Sequence, residues 1–478
     1  MQVNDQNNQI PMTLVDDLYA DAGHWEINTG EDTIHAKRMP GKWRTLKWWA
    51  NSFWLLFFLG PFVRWDDQQA VLFDIPNRQF HLFGVTILPQ DFWMLALLLL
   101  FFAILLAVVT AVAGRVWCGF FCFQTVWTDL YTWIEEKLEG SPQKRRKLET
   151  APWGFSKIKN KVIKHALWLV IAFVTGISFV AWFIDIFALL GGLWRFELGF
   201  AATLSISMFV VGTYILAGFM REQTCLWLCP YARIQGVMID NSTVLPTYDF
   251  HRGEPRGRLK KNQVEAERTS GDCIDCNQCV AVCPTGIDIR QGQQEGCITC
   301  ALCIDACDSV MEKIGRPKGL IRYDSLDGLE QGVSTPIAKR PRVWVYSAIL
   351  LAALGGIVYG LSTLDAVELN VIHERQPLFV LQSNGAIQNK YTLKVLNKMT
   401  EDVLVRVTAK GPEGAILVGA EEGFNAPHGN VTAHTVFVRV PAERLTAASL
   451  PITFRITTSA SGEQFSEVRK SVFMGPSR

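Results

Sequence analysis

The fold of this chain is decided by the stretch CIDCNQCVAVCPTGIDIR at residues 273–290 and by CITCALCIDACD at residues 297–308. Each contains four cysteines spaced as Cys-x2-Cys-x2-Cys-x3-Cys. In this spacing the first three thiolates bind one four-iron cluster, and the fourth binds the neighbouring cluster. The sequence therefore predicts two [4Fe–4S] clusters. We expect Cys273, Cys276, Cys279 and Cys307 to hold the first, and Cys297, Cys300, Cys303 and Cys283 to hold the second.

Structural zinc is the alternative for these cysteines. Zinc ribbons use two separated Cys-x2-Cys pairs, so two consecutive runs of four favour clusters. The second run departs from the usual pattern, because Asp308 follows Cys307 where Pro284 follows Cys283. Proline donates no bond to iron, so the predicted ligands are unchanged. Asp305 and Asp308 add negative charge, which is expected to lower the reduction potential.

The composition indicates a membrane protein with soluble modules. The chain has 478 residues, of which 49% are hydrophobic and 16 are Trp. Five apolar stretches approach or exceed the length of about 20 residues that spans roughly 30 Å of hydrocarbon. The predicted spans are residues 47–65, 92–113, 166–190, 198–219 and 343–362. The first 46 residues lack an apolar core behind a basic tip, so we expect no cleavable signal peptide.

The positions of Lys and Arg predict the orientation of these spans. Basic residues concentrate before the first span and in the 114–165 loop, whereas the 66–91 and 191–197 loops each contain one Arg. Basic loops stay in the cytoplasm. The N-terminus and the 220–342 segment are therefore expected in the cytoplasm, and residues after about 363 in the periplasm of an inner-membrane protein.

The net charge and the positions of histidine and cysteine limit the classes of function that the sequence supports. The formal net charge of +1 gives no indication of a nucleic-acid partner, and the basic run at residues 144–147 is expected to contact anionic lipid headgroups. None of the eight His lies deep in a predicted span, so the sequence offers no axial ligands for haem inside the membrane. All twelve Cys lie between residues 118 and 307, on the predicted reducing side, which favours metal ligation over disulfides.

Two further cysteine pairs lie at equivalent places. Cys118 and Cys122 (WCGFFCF) follow the second predicted span, and Cys225 and Cys229 (CLWLCP) follow the fourth. If the segments are helical, each Cys-x3-Cys pair places its sulfurs on one face. The four thiols could form one site for Cu(I), another iron–sulfur cluster or zinc. The alternative is buried cysteines without chemistry, but the repetition in register with the spans favours function.

In the last hundred residues, apolar and polar residues alternate with a period of two. The segments KYTLKVLNK, DVLVRVTAK, TVFVRVPA and LPITFRITT alternate apolar and polar residues. This pattern predicts short antiparallel strands in an immunoglobulin-like sandwich without a disulfide. The expected fold class is a membrane α bundle, an inserted α+β ferredoxin-like module and an all-β tail. Its predicted domains are residues 1–46, 47–240, 241–342, 343–362 and 363–478.

These motifs together resemble one family. RVWCGFFCFQTVWTDL at 115–130, CLWLCPYARIQGVMID at 225–240, both ferredoxin runs and GLIRYDS at 319–325 resemble the CcoG family, also called FixG or RdxA. The resemblance covers nearly the whole chain. It implies a membrane cupric reductase that converts Cu(II) to Cu(I) for cbb3-type cytochrome c oxidase.

The same resemblance implies partners and site residues. The partners would be copper, the oxidase or its copper-delivery proteins, membrane lipid and a cytoplasmic electron donor that the sequence does not identify. The eight ferredoxin cysteines would carry electrons. Thiolates favour Cu(I) over Cu(II), so the hypothesis is that Cys118, Cys122, Cys225 and Cys229 form or neighbour the copper site. Phe123 stands where the family motif has Pro after Cys122.

Two rival functions remain open. The chain is also similar to NapH-type quinol-oxidising subunits, which share four spans, Cys-x3-Cys-Pro pairs and a two-cluster ferredoxin; the fifth predicted span and the tail count against this. A non-catalytic assembly scaffold, whose tail recruits the oxidase or a copper chaperone, is the third possibility.

Overall fold

A computed structural model of the chain describes residues 34, 36–65, 68–83, 85–87, 92–259, 270–332, 336–363, 366–399, 401–460 and 463–476. Most of the predicted N-terminal segment, residues 1–46, lies outside the described residues. The chain divides into two compact units. One comprises Met1–Leu59, Leu98–Val180 and Glu197–Leu354, and the other comprises Gly60–Leu97, Ala181–Phe196 and Gly355–Arg478.

Helices make up most of the first unit and link both units. The α-helices are α1 Lys42–Asn51, α2 Leu55–Leu59, α3 Phe92–Ala113, α4 Val116–Phe120, α5 Phe123–Glu139, α6 Pro142–Thr150, α7 Phe155–Val180, α8 Ile186–Arg195, α9 Phe200–Ile215, α10 Arg221–Gln223, α11 Pro230–Met238, α12 Phe250–Gly253, α13 Gln278–Ala281, α14 Leu302–Lys313, α15 Leu326–Gln331 and α16 Pro341–Ser362. Two π-helical turns, Leu216–Met220 and Thr224–Leu228, flank α10. The 3-10 turns are Ser52–Trp54, Gly60–Phe62, Ile289–Gln291, Ile337–Lys339 and Ala442–Arg444.

Four helices in the described part of the chain are long and apolar enough to cross a membrane. They are Trp93–Ala113, Phe155–Val180, Phe200–Leu228 and Pro341–Ser362. The predicted second and fifth spans correspond to the first and last of these. The helix of the third predicted span, Phe155–Val180, begins earlier than predicted. Lys157 and Lys164 are buried within this helix rather than lying in a loop.

The prediction of five spans is not confirmed. Residues 47–65 form no single long helix: α1 ends at Asn51, short helical segments continue to Phe62, and a strand begins at Arg64. Gly60 and Pro61 explain the last break, since proline lacks the N–H that continues a helix. Lys47, at the start of the predicted span, is 1% exposed and lies close enough to Asp129 to interact with its carboxylate.

A buried ion network joins the helices next to the membrane spans. Glu135 on α5 accepts hydrogen bonds from Arg145 at 3.0 Å and Arg221 at 2.6 Å, and Lys164 lies 3.4 Å away. Burial disfavours the Glu135 carboxylate, but Arg221, Lys164 and Arg145 more than offset this and hold its pKa at about 2. Arg145, expected at lipid headgroups, is instead 1% exposed and paired. The network anchors Arg221, four residues before Cys225.

The strands form small sheets and one sandwich. They are β1 Arg64–Trp65, β2 Gln68–Gln69, β3 Val71–Asp74, β4 Gln79–Leu82, β5 Val85–Ile87, β6 Leu245–Tyr248, β7 Ile321–Asp324, β8 Val367–His373, β9 Val380–Leu381, β10 Ala386–Asn397, β11 Val403–Lys410, β12 Ile416–Val418, β13 Phe424–Ala426, β14 Val431–Pro441, β15 Ser449–Ala460 and β16 Glu463–Met474. The two-stranded sheet β1–β2 and the three-stranded sheet β3–β4–β5 lie in the 66–91 region or at its edge, where no strand was predicted from the sequence.

The predicted β tail is confirmed. One sheet has the order β12-β14-β10-β8, with β9 also paired to β10, and the other has the order β13-β11-β15-β16. The four segments predicted from their alternation contribute β10, β11, β14 and β15. Val405, Val436 and Phe454 are fully buried between the sheets. Alternating side chains point to opposite faces of a strand, so the apolar half of each segment fills this core.

The ferredoxin-like part of the first unit is closed by a two-stranded ribbon. In it β6 pairs antiparallel with β7, and Tyr248 lies opposite Ile321. Ile274, Met311 and Leu320 are almost fully buried in the core beneath the first cysteine run. This ribbon and α14 therefore fix the two cysteine loops against each other.

Candidate metal centre

The two ferredoxin runs curl through the same backbone conformation. Asp275 and Asn277 in the first loop, and Thr299 and Ala301 in the second, have positive φ between 53° and 61°. These are the third and fifth positions of each Cys-x2-Cys-x2-Cys segment. Non-glycine residues adopt this conformation at a cost of order 1 kcal/mol. Its recurrence at equivalent positions indicates that each loop must turn its three cysteines towards one centre.

The structure brings the cysteines together in the two predicted sets. Cys273, Cys276, Cys279 and Cys307 line one small cavity. Cys283, Cys297, Cys300 and Cys303 line a second, which Cys279 also borders. Cys303 and Cys307 project from α14 four residues apart, so this helix supplies each cavity with one sulfur. The arrangement fits two four-iron clusters, in which each thiolate binds a different iron atom.

The first cavity has a buried cation beside it. Arg290 donates to Asp288 at 2.8 Å and to Asp275 at 2.6 Å, and it interacts electrostatically with Cys279 and Cys273. Burial raises the pKa of the Cys276 and Cys283 thiols. A bound metal centre has to offset this rise in pKa, because its cysteine ligands must be thiolates. The donor set therefore fits a cationic iron–sulfur core.

The Cys118–Cys122 pair does not lie on one helix. Cys118 is in α4, which ends at Phe120, and Cys122 is the N-cap of α5. The condition under which both sulfurs would share one helical face at i and i+4 is therefore not met. Cys122 adopts an extended conformation and starts a new helix at Phe123. Proline is favoured at this first helical position because its φ is already helical, but Phe123 begins the helix without it.

The Cys225–Cys229 pair has the same construction. Cys225 lies in the π-helical turn Thr224–Leu228, and Cys229 is the extended N-cap of α11, with Pro230 at the first helical position. Here too the helix breaks before the second cysteine. Each pair thus consists of one thiol in a short helical turn and one thiol at the N-terminus of the next helix.

The two pairs meet in the first unit. Cys118 interacts electrostatically with Cys122 and Cys229, and Cys225 interacts with Cys122, Cys118 and Cys229. Burial raises the pKa of Cys118 to about 12, with Cys122 adding to the rise and Arg115 opposing it. The Cys118 thiol donates to Gln235 Oε1 at 3.1 Å, and fully buried Gln235 donates to Thr110.

The four-cysteine site touches the loop of the second ferredoxin set. A Cβ atom at Gly119 would lie 2.5 Å from the Ile298 carbonyl oxygen and 2.9 Å from Cys300 Cα. Cys118 also shares a buried apolar cluster with Ile298 and Cys300. Because Gly119 has no side chain, the backbone of α4 lies directly against the Cys300 backbone.

Arg115 links the two sites electrostatically. Its side chain donates to the Glu295 carbonyl, its backbone N–H donates to Thr299 Oγ1 at 3.1 Å, and the residue is 3% exposed. It interacts with Cys118, Cys225 and Cys297. The sequence interpretation counted Arg115 only as a basic loop residue and missed this role.

Gly119 and Gln235 were also missed. Gly119 could have been found from its position, because a glycine between two cysteines is typical of a place where another backbone segment approaches closely. For Gln235 the sequence carries no signal, because its contact with Cys118 exists only once the chain folds.

Three family models and one solved structure match parts of the chain. The 4Fe-4S dicluster domain family matches residues 220–326, a 4Fe-4S binding domain family matches residues 95–141, and the IG-like fold at the C-terminus of FixG matches residues 357–476. The crystal structure of a FixG-related protein from Vibrio parahaemolyticus covers 23% of this chain and 97% of its own, with 24% identity and a TM-score of 0.21.

Two curated relatives extend over most of the chain. "Nitrogen fixation protein FixG" of Rhizobium meliloti is 38% identical and covers 87% of this chain and 88% of its own. "Protein RdxA" of Cereibacter sphaeroides is 42% identical and covers 80% and 83%. With four membrane-length helices and two ferredoxin loops, the chain belongs to the FixG/RdxA family and is a membrane iron–sulfur electron-transfer protein.

Proposed function

We propose that this chain transfers single electrons to Cu(II) at the membrane and so produces Cu(I) for the assembly of cbb3-type cytochrome c oxidase. The observation that carries the proposal is the contact between Gly119 and the Cys300 backbone, which leaves no insulating side chain between the second ferredoxin set and the four-cysteine site.

The ferredoxin cysteines act as ligands in this proposal. Cys273, Cys276, Cys279 and Cys307 hold one cluster, and Cys297, Cys300, Cys303 and Cys283 hold the other. When bound, each cluster accepts and releases one electron. Because the Cys300 backbone lies against Gly119, next to the four-cysteine site, the second set is the exit side, and the first set faces a cytoplasmic electron donor.

Copper is the substrate rather than a resident cofactor. A donor electron is transferred to Cu(II), which becomes Cu(I), and the donor is oxidised by one electron. Cys118, Cys122, Cys225 and Cys229 form or neighbour the copper site. Thiolates bind Cu(I) better than Cu(II), so their presence favours the reduced product. The thiol protons leave when a metal binds, since only thiolates are ligands.

The orientation is part of the proposal. The basic residues around α6 favour a cytoplasmic position for both cysteine sites, and the β tail would then be periplasmic. The tail would dock the oxidase or a copper-delivery protein.

Replacement of Cys225 and Cys229 by Ser tests the proposal. Purified under anaerobic conditions, the double variant is expected to lose Cu(II) reduction at least about tenfold while keeping a donor-reducible ferredoxin signal. Thr224→Ala, which changes the neighbouring side chain without removing a thiol, is the matched control and should reduce copper normally.

Unchanged copper reduction in the double variant would remove these thiols from the mechanism. Oxidation of menaquinol by the wild-type protein in the absence of copper would instead support a quinol-oxidising subunit.

A further inference from the structure

The two Cys-x3-Cys pairs are equivalent half-sites. In each, the first cysteine lies in a short helical turn and the second is an extended N-cap: Cys118 with Cys122 before α5, and Cys225 with Cys229 before α11. The two half-sites face each other, since Cys225 interacts electrostatically with both thiols of the other pair. Four sulfurs from two segments are therefore within electrostatic reach of one another.

Each half-site places one sulfur at the start of a helix. Cys122 is the N-cap residue of the 17-residue helix α5, and Cys229 is the N-cap residue of α11. The backbone N–H groups and the dipole at a helix start stabilise negative charge. Both positions therefore suit a ligand of an anionic metal centre.

Sequence similarity indicates the kind of centre. Residues 95–141, which contain Cys118 and Cys122, match a 4Fe-4S binding domain family. A four-iron cluster takes four thiolates, each on a different iron atom. The four cysteines of the two half-sites supply that number.

Arg115 supplies the charge that an anionic centre needs. It is 3% exposed, it interacts with Cys118 and Cys225, and its Nε has no hydrogen-bond partner among the described residues. The guanidinium donates to the neutral Glu295 carbonyl, and a buried cation is stabilised further by a nearby negative charge. Four thiolates around an iron–sulfur core form an anion, which would supply that charge next to Arg115.

We propose that Cys118, Cys122, Cys225 and Cys229 together hold a third iron–sulfur cluster of the [4Fe–4S] type. The 4Fe-4S binding family matches residues 95–141, but this stretch contains only Cys118 and Cys122, and Cys225 and Cys229 complete the ligand set. The proposal rests on the proposed function only for the direction of electron flow. Within that function, the four thiols bind iron beside the copper site, so their part is to hold the cluster that passes the electron to Cu(II), in place of a direct preference for Cu(I).

Iron and acid-labile sulfide content of the anaerobically purified full chain tests the proposal without any copper assay. The expected result is about twelve iron atoms per chain, whereas the two ferredoxin sets alone give about eight. The single variants Cys118→Ser and Cys225→Ser should each approach eight, and EPR of the reduced protein should lose one signal. Thr224→Ala should retain the wild-type content.

Three results would overturn the proposal. These are about eight iron atoms in the wild-type protein, stoichiometric copper or zinc in place of the additional iron, or an unchanged iron content in both cysteine variants. If a variant does not accumulate, the wild-type iron and sulfide count still decides. A copper-reduction assay that fails while the count reaches twelve would reject the proposed function and leave the third cluster in place.

Discussion

Asp305 caps the helix that contains Arg44: its carboxylate accepts the backbone N–H of Arg44 at 2.8 Å and that of Trp43 at 3.1 Å. Asp305 lies on α14 between Cys303 and Cys307, so the N-terminus of α1 contacts the helix that supplies one sulfur to each ferredoxin set. Backbone N–H groups at a helix start carry partial positive charge. They offset part of the negative charge that the sequence interpretation assigned to Asp305.

Asp305→Ala is expected to destabilise the protein by about 1 kcal/mol, because the first turn of α1 loses its cap. Asp305→Asn should cost only a few tenths of that, since Asn caps equally well. Both variants remove a negative charge and should raise the reduction potential of the adjacent cluster. Thermal unfolding and EPR-monitored redox titration measure the two effects, and equal unfolding temperatures for Ala and Asn would contradict the capping role.

Gly119→Ala should slow electron transfer between the second ferredoxin set and the four-cysteine site. The added Cβ meets backbone atoms of Ile298 and Cys300 that cannot rotate away, so α4 and the loop must separate. A displacement of this order can reduce a rate by tenfold or more. Stopped-flow reoxidation of the reduced clusters by Cu(II) is the measurement.

Gly236→Ala is the matched control for Gly119→Ala. Gly236 lies on α11, also next to the four-cysteine site, and a Cβ there meets no atom within 4 Å. Its reoxidation rate should equal that of the wild-type protein. Equal rates in both variants would mean that the contact at Gly119 does not control the transfer.

The Asp129 carboxylate should make stability depend on pH in the acid range. Burial disfavours its charge, but Lys47, Arg44 and Arg38 outweigh this and hold its pKa at about 2, below the usual 3.8. A carboxyl group whose pKa is lower in the folded than in the unfolded state stabilises the folded state at pH values above its unfolded-state pKa. The contribution, about 2 kcal/mol, is thus complete above about pH 4 and is lost as the pH falls towards 2.

Asp129→Asn tests this contribution. At pH 7 the variant should unfold at a lower temperature than the wild-type protein, since Arg38 and Arg44 lose a charged partner. The difference, followed by Trp fluorescence, should shrink between pH 4 and pH 2. A difference that is constant across this range would show that the carboxylate charge is not involved.

Local patterns in the sequence were sufficient for two parts of the structure. The grouping of Cys273, Cys276 and Cys279 with Cys307 follows from the repeated Cys-x2-Cys-x2-Cys-x3-Cys spacing, in which the fourth cysteine of one run binds the cluster of the other. The strands of the tail follow from a period of two, which depends only on neighbouring residues and on burial of one face.

Long-range pairing decided what the sequence could not predict. Residues 47–65 are apolar enough to suggest a span, yet Lys47 is buried near Asp129, and α1 is held by Asp305, far along the chain. Arg145 looked like a lipid contact because the sequence does not reveal its partner Glu135 on α5. Arg115 and Gln235 became site residues for the same reason: each gains its role from a contact between segments that meet only in the folded chain.

Termination of the chain after Thr363 should separate a reductase from a scaffold. The β tail has its own buried core, with Val405, Val436 and Phe454 packed between its two sheets, so its removal leaves the cysteine sites of the first unit covalently and structurally complete. Copper reduction by the purified truncated protein is expected to stay within about twofold of wild type. Oxidase assembly in cells should fall, because the proposed docking domain is lost. Loss of copper reduction in a truncated protein that retains its full iron content would assign the tail a direct part in the chemistry.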